Sequence, residues 1–356
     1  MLSQYDHTFG SFYSRNVGNG TDTNDSFSHP AGYLHIEGGY IYCGQTNTHN
    51  DVIDIYKSDV QGDIRSGMTK LTSISGENAY PQVFTDKDSK CVFCVRQYPE
   101  GVGDFNLSVN RSNAGIEGTF SITVITENTP GYRHYNSSPV VYGTPTKHYL
   151  ISSIRNDGAT GDPYFQHAIF VTEDFETFSN YINTDSKDVT IAALTMAEIN
   201  TDYVVNGSTA SDTVELTHAN AIQVDDTLYF VAIKSGTTDP YIFKLEDDTL
   251  TDAQLNITNI KYDGLHNAYL YWNGSNIIVS TTTDDSGTIT QELWAVSTDL
   301  ATQTQKYTYS NPTYSAVPMK LPDNLDQVSG EYLFYVDIDT GTDWVTFQKT
   351  TDKFNF

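Results

Sequence analysis

One pattern recurs six times along this 356-residue chain: a polar start, an apolar run, a turn, a second apolar run, a loop, and a third apolar run that ends near an acidic residue. The copies begin at Ser28, Ala79, Ser137, Thr217, Leu265 and Tyr314. Strand-rich units repeated in this way are typical of a β-propeller, in which each copy forms one blade. A β-sandwich with many hairpins is the alternative, but a sandwich does not require the same pattern to recur.

The sequence therefore predicts an all-β fold, with one β-propeller domain over residues 1–356 and seven blades. The 25 tyrosines and 17 phenylalanines favour strands. A seventh blade would come from residues 188–206 or from the two chain termini together. The segments "SNAGIEGTF" (112–120) and "TEDFETF" (172–178) resemble degenerate Asp-box turns of sialidase-type propellers.

The net charge of −26, from 45 acidic and 19 basic residues, argues against nucleic-acid binding, which needs a basic surface. A local group of Arg and His can still hold an anionic substrate. The three cysteines give neither a disulfide framework nor a zinc site, and no apolar run is long enough to span a membrane. We expect a monomer that requires no cofactor for its chemistry; a structural metal ion is compatible with this expectation. The N-terminus shows no signal peptide, and we expect an extracellular or virion-associated protein.

Four polar residues stand at matching ends of the first two hairpins. His29 precedes the first strand of unit one and His49 follows its second strand; Tyr80 and Arg96 hold the same two places in unit two. Because the strands of a hairpin are antiparallel, the residue before the first and the residue after the second emerge at the same edge. We therefore expect all four side chains to converge on one groove.

This set of side chains suits β-elimination on a uronic acid. An arginine can pair with the sugar carboxylate and stabilise the enolate-like charge that develops when the C5 proton leaves. A tyrosine or histidine can take that proton, and another can protonate the leaving O4. A hydrolase needs two carboxylates instead, and the sequence pattern places no Asp or Glu at this edge of the first two units.

The residues from Ser28 to Asp174 resemble the propeller-type ulvan lyases and the BNR-repeat polysaccharide lyases around them. The resemblance implies an enzyme that cleaves a sulfated, uronic-acid-containing polysaccharide. By its motifs, His29 and His49 match the family's pair of histidines, Tyr80 its tyrosine and Arg96 its arginine. Our preferred division of roles makes Tyr80 and His49 the proton-transfer pair and Arg96 the group that neutralises the carboxylate. His29 would bind the substrate or share the role of the base.

Further basic and aromatic residues at the same edge of later units are candidates for substrate binding. They are Arg133, His134, Tyr135, Arg155, His218, Lys234 and His266. Together they would explain how an acidic protein accepts an anionic polymer. No tight ligand spacing among them supports a metal site.

Two other functions compete with the lyase. One is a glycan-binding or receptor-binding propeller without catalysis. The other is a sialidase-like or five-bladed glycoside hydrolase, in which Arg96, Arg133 and Arg155 would mimic an arginine triad. A hydrolase leaves the paired histidines unexplained.

Overall fold

All regular secondary structure among the described residues is β-strand. The computed structural model describes residues 2–6, 11–15, 31–46, 51–97, 106–126, 132–137, 140–156, 164–180, 190–191, 194–195, 221–233, 240–247, 249–258, 268–310, 317–321, 330–339 and 342–349. Most sheets are antiparallel meanders of neighbouring strands, the blades of a β-propeller. The predicted fold class is confirmed, whereas the count of seven blades stays a prediction.

The chain divides into two compact units. The first comprises Met1–Asn136 with Pro322–Ser329, and the second Ser137–Leu321 with Gly330–Phe356. The single domain over residues 1–356 remains a prediction.

Nine strands lie within the first unit, seven of them in one sheet with the order β3-β4-β5-β6-β7-β8-β9. The strands are β1 (Leu2–Asp6), β2 (Ser11–Arg15), β3 (Ala31–Glu37), β4 (Tyr40–Thr46), β5 (Asp51–Val60), β6 (Asp63–Thr85), β7 (Cys91–Gln97), β8 (Asn106–Ser112) and β9 (Phe120–Thr126). The next strand, β10, is Tyr132–Ser137.

The core of the first unit follows the two-residue period of its strands. Cys91, Phe93 and Val95 alternate along β7 and are buried in one cluster with Ile53 and Ile55 of β5. The residues between them on β7 are also fully buried, so both faces of this strand are covered. This double burial explains the continuous apolar run "CVFCV".

Four tight connections lie at one edge of this sheet, which we call the turn edge. They join β3 to β4, β5 to β6, β6 to β7, and β8 to β9. The turn after β5 bonds the turn after β3 through Gly62 N and Gly39 O at 2.8 Å. Ile116 N, in the turn after β8, donates to Glu37 Oε2 at 2.8 Å. The first half of the sheet runs from β3 to the first part of β6, and the second half from the last part of β6 to β9. The turns of both halves therefore lie at the same edge.

Strand β6 reverses its direction between these two halves. Its first residue, Asp63, pairs with Val60 at the turn edge, and its last, Thr85, pairs with Cys91 at the turn edge again. A 23-residue strand that starts and ends at the same edge has to bend back near its middle. Gly76, with φ of +124°, lies in that stretch, where a backbone conformation open mainly to glycine is needed. We call the opposite edge, where β6 bends, the site edge.

The second unit contains the remaining strands. They are β11 (Val140–Tyr142), β12 (His148–Asn156), β13 (Tyr164–Thr172), β14 (Ser179–Asn180), β15 (Thr190–Ile191), β16 (Leu194–Thr195), β17 (Ala221–Val224), β18 (Thr227–Ile233), β19 (Pro240–Glu246), β20 (Thr249–Gln254), β21 (Tyr269–Trp272), β22 (Asn276–Asp285), β23 (Thr288–Ser297), β24 (Gln303–Ser310), β25 (Val317–Leu321), β26 (Gly330–Asp339) and β27 (Thr342–Lys349). β17 to β20 and β21 to β24 form successive antiparallel meanders. Their facing apolar side chains share one core.

One strand of the second unit pairs differently from the sequence pattern, which predicts "PVVYG" as the hairpin partner of "HYLISS". In the structure β11 instead pairs in parallel with β17. Polar contacts explain this choice. Asp225 Oδ1 accepts a hydrogen bond from Thr144 N at 3.1 Å, and Asp226 Oδ1 accepts one from Thr146 N at 2.6 Å. These contacts hold the chain after β11 against the β17–β18 turn.

The segment "TEDFETF" forms a tight turn between β13 and β14 around Asp174. Its Oδ1 accepts hydrogen bonds from Glu176 N and Thr177 N, both at 2.8 Å. The hydrogen bond from the Thr177 amide, and after it the one from the Glu176 amide, lowers the pKa of Asp174 to about 2. Desolvation acts in the opposite direction. Phe175, with φ of +62°, is buried beneath the turn.

Replacing Asp174 by Ala is expected to lower the free energy of unfolding near neutral pH by about 1 kcal/mol, since two backbone amides lose their acceptor. A carboxyl whose pKa is lowered on folding stabilises the protein above its unfolded pKa of 3.8, and this stabilisation disappears as the pH falls towards 2. The difference between the two proteins should therefore shrink in acid. Urea unfolding across this range measures it, with the exposed neighbour Glu173→Ala as the control. A gap that does not change with pH would contradict the role of the charge.

Candidate functional site

Three strands of the first unit meet at the site edge around Asn78. This residue of β6 pairs with Asp51, the first residue of β5, and on its other side with Gln97, the last residue of β7. Among the residues with a described register in β6, Asn78 is the one with partners on both sides. The bend of β6 thus brings the start of β5 and the end of β7 together.

Tyr80 and Arg96 lie next to this junction on neighbouring strands. Arg96 pairs with the residue before Tyr80, and the register then shifts, so that Tyr80 and Pro81 together face the single residue Val95. An extra residue of this kind bends a strand and changes the direction of its side chains, and such bulges are common beside active sites. The backbone therefore places Tyr80 and Arg96 at the same edge.

The local setting of Tyr80 differs from the sequence prediction. The pattern predicts Tyr80 at the start of a strand, but in the structure it lies inside β6, because the chain continues from one half of the sheet into the next without a break. The register of β6 and β7 shifts between Ala79 and Gln82, where the pattern of the first sequence unit ends and that of the second begins.

The two histidines, His29 and His49, lie outside the described residues. The hairpin that they flank is described, and its register pairs Ala31 with Thr46. The chain segments before β3 and after β4 therefore leave the hairpin at the same end. β5 begins at Asp51, two positions after His49. The place of both imidazoles in the site stays a prediction.

The structure brings only some of the predicted substrate-binding residues into described strands. Arg133, His134 and Tyr135 lie inside β10, whereas the sequence pattern places them ahead of a strand. Arg155 lies in β12, opposite Phe165 of β13. His218, Lys234 and His266 lie outside the described residues.

The expectation that no acidic residue stands at this edge is wrong. Asp51 begins β5 and pairs with Asn78, and Glu77 directly precedes Asn78 in β6. The sequence pattern does not indicate them, because the second unit begins at Ala79 and Glu77 is therefore not assigned to the strand in which it lies. Both bear on the choice between a lyase and a hydrolase.

Asn78 itself is a residue that the sequence analysis missed. Its side chain is 0% exposed, and its Nδ2 donates to Ser75 O at 3.3 Å. Its Oδ1 is buried, with no hydrogen-bond partner among the described residues. A buried amide oxygen in this state costs about 1 to 3 kcal/mol, so native proteins rarely retain one. The only sequence signal is an asparagine that directly precedes an apolar strand, which most often indicates a turn.

The polar cluster at the turn edge has a different character, because its charged groups bind one another. Glu117 Oε1 accepts hydrogen bonds from Lys57 Nζ at 2.6 Å and from Tyr42 Oη at 2.5 Å. The Lys57 contact, followed by that of Tyr42, lowers the pKa of Glu117. Asp86 likewise accepts from Arg111 Nε at 2.7 Å. The Glu117 contacts join the two halves of the sheet, whereas the Asp86–Arg111 pair lies within the second half, and the role of both is structural.

Neither a metal site nor a membrane span is evident in the described part of the chain. No group of three or more His, Cys, Asp or Glu side chains within it is placed to hold a metal ion. No helix of sufficient length and apolar character to cross a membrane occurs there either.

Three solved structures share this fold. The first, described as a new family of polysaccharide lyase, PL25 ulvan lyase, superposes with a TM-score of 0.57 at 11% identity over 97% of this chain and 85% of its own. The same lyase bound to -[GlcA(1-4)Rha3S]- gives 0.57 and 11% over 98% and 86%. Polysaccharide lyase Uly1 gives 0.56 and 11% over 90% and 78%. At this identity the likeness shows the fold alone. No family model and no curated protein sequence matches the chain.

Proposed function

We propose that the protein is a polysaccharide lyase that cleaves a uronic-acid-containing, sulfated polysaccharide by β-elimination. The reaction centre is the site edge of the first unit. Tyr80 and His49 transfer the protons, Arg96 neutralises the uronate carboxylate, and His29 binds the sugar or shares the role of the base.

The observation that carries this proposal is the bend of β6. It places Tyr80 one register position from Arg96, and it places the start of β5, just after His49, against the same bend. A base, a cationic group for the carboxylate and a second proton carrier are what β-elimination requires. Residues far apart in the sequence are thus brought to one edge by backbone pairing alone.

The reaction follows from these three roles. The base takes the C5 proton, and the electrons of the C5–H bond form the C4=C5 double bond as the C4–O4 bond breaks. The second group gives its proton to the leaving O4. Negative charge develops on the uronate carboxylate in the transition state, and Arg96 is the cation at this edge that would stabilise it.

The fold supports an enzyme that acts on a polysaccharide. Two of the structures with the same fold are described as an ulvan lyase and the third as a polysaccharide lyase, and one of them is bound to a glucuronate-containing oligosaccharide. Arg133, His134, Tyr135, Arg155, His218, Lys234 and His266 are proposed as contacts for neighbouring uronate or sulfate groups. We further propose that the protein acts outside the cell or on a virion, as a monomer.

The direct test is to incubate the protein with uronic-acid polysaccharides, ulvan first, and to record the ultraviolet absorbance of the unsaturated uronate. Elimination creates a conjugated C4=C5 double bond, whereas hydrolysis creates only a saturated reducing end. A rise in absorbance supports the lyase. Binding to a glycan array without cleavage of any polymer would leave a carbohydrate-binding propeller instead.

A glycoside hydrolase is the second candidate, and one observation favours it. Asp51 and Glu77 bring two carboxyl-bearing residues to the site edge, and a pair of carboxylates is what glycoside hydrolysis uses. The lyase mechanism gives neither residue a chemical role.

Paired variants separate these two candidates. For a lyase, Asp51→Asn and Glu77→Gln are expected to retain activity to within about threefold, because removing a charge from a residue that transfers no proton has little effect on the chemical step. For a hydrolase, removal of the general acid or base lowers kcat by about 100-fold or more. The measurement is the rate of new reducing ends and of ultraviolet absorbance from the same reaction. Loss of both signals in Glu77→Gln would contradict the lyase assignment.

A further inference from the structure

The bend of β6 depends on one fully buried polar residue. Asn78 is the point at which β6 stops pairing with β5 and starts pairing with β7. Its Nδ2 reaches back to Ser75 O, across the stretch that contains Gly76. The hydrogen bond from the asparagine side chain thus spans the bend, two residues before Tyr80.

The other end of the same amide is unsatisfied. Asn78 Oδ1 is buried and has no hydrogen-bond partner among the described residues. If the side chain served only to close the bend, a residue without a spare buried acceptor would be less costly. A buried acceptor that is retained at a functional edge indicates that a donor is provided when the site is occupied.

We infer that Asn78 is a positioning residue of the lyase site. Its amide fixes the bend that sets Tyr80 against Arg96, and its Oδ1 accepts a hydrogen bond from an N–H or O–H donor of the site once the uronate is bound. This inference rests on the proposed function. In this role Asn78 transfers no proton; it contributes by fixing the geometry of the site.

Asn110 offers a matched control within the same unit. It is also an asparagine in a strand, β8, is 2% exposed, and has a buried amide atom, Nδ2, without a hydrogen-bond partner among the described residues. Its register partners are Phe93 and Ile122, away from the bend of β6. Truncation of either residue creates a similar cavity, but only that of Asn78 disturbs the bend.

The experiment compares Asn78→Ala with Asn110→Ala on the polymer that the unchanged protein cleaves. Misplacement of a catalytic group by about 1 Å can cost on the order of 100-fold in rate, so Asn78→Ala is expected to lower kcat by about 30- to 100-fold, with KM within about threefold. Asn110→Ala is expected to retain kcat to within about threefold and to lose a similar amount of thermal stability. Equal kcat values for the two variants, or a loss of rate that only follows the loss of folded protein, would overturn the inference.

Asn78→Asp provides a second readout, because it keeps the size of the side chain and an acceptor oxygen but introduces a titratable group. A carboxylate beside the bend disfavours ionisation of a base on the same segment. The rising limb of the kcat–pH profile is therefore expected to move to higher pH, whereas the same substitution at Asn110, away from the bend, is expected to leave the profile in place. An unshifted profile contradicts the inference. Failure of the proposed function is recognised separately, because the unchanged protein would then release no unsaturated uronate.

Discussion

Replacement of Tyr80 by Phe is expected to lower the rate of uronate elimination by about 1000-fold, because removal of a general base or acid typically costs between about 100- and 10,000-fold. Arg96→Ala is expected to cost about 100- to 1000-fold, the range seen when a group that stabilises developing negative charge is removed. Phe retains the ring of the tyrosine, so the first variant tests the hydroxyl alone. Initial rates from the absorbance of the unsaturated product, at saturating polymer, measure both effects.

The same strand provides the control for these variants. Arg65 lies in β6 but at the turn edge, where its Nε binds Asp63 Oδ1 at 2.9 Å. Arg65→Ala removes one positive charge from the same sheet and is expected to leave the rate within about twofold of the unchanged protein, since exposed ion pairs contribute little. If Arg65→Ala and Arg96→Ala reduce the rate equally, the effect is one of overall charge, and the assignment of Arg96 to the site fails.

Phe93→Ala is expected to lower the free energy of unfolding by about 3 to 5 kcal/mol, the usual cost of truncating a buried phenylalanine to alanine. The ring is 0% exposed and packs edge-on against Tyr33, with 4.8 Å between the ring centroids, and against Phe120 at 5.6 Å. Tyr33 belongs to β3 and Phe120 to β9, so one side chain connects the first and last strands of the seven-stranded sheet. Urea denaturation followed by fluorescence measures the loss.

Two further variants calibrate that measurement. Phe93→Leu keeps most of the apolar volume and is expected to cost about 1.5 kcal/mol or less. Ile122→Ala removes a side chain that is 47% exposed and is expected to change the free energy of unfolding by about 0.5 kcal/mol or less. An equal loss for Phe93→Ala and Ile122→Ala would show that the ring does not connect the two halves of the sheet.

The hairpins were predictable from the sequence, and the junctions between units were not. The pattern from Ala31 to Thr46 gives one antiparallel pair because apolar runs flank a Gly-Gly turn, and short-range turn chemistry fixes such pairings. Strand β6 has no comparable signal. Gly76 and Asn78 are typical of a turn between separate strands, yet backbone pairing on both sides of Asn78 makes the segment continuous.

Long-range polar contacts account for the other differences. The partner of β11 is decided by Asp225 and Asp226, which follow β17 far along the chain, and no local pattern identifies them. The same holds at the candidate site. The hairpin rule predicts that residues 80 and 96 lie at one edge, but the burial of Asn78 and the approach of Asp51 depend on the second strand pairing of β6, which only the assembled sheet specifies.

The shared strand has a consequence for how such a repeat protein can change. In most repeat architectures a unit can be duplicated or lost with little effect beyond its neighbours. Here β6 is the last strand of one meander and the first of the next. A duplication or deletion that begins or ends within it would therefore cut through the segment that carries Tyr80. A change in unit number would leave this segment intact only if it fell at another junction of the repeat.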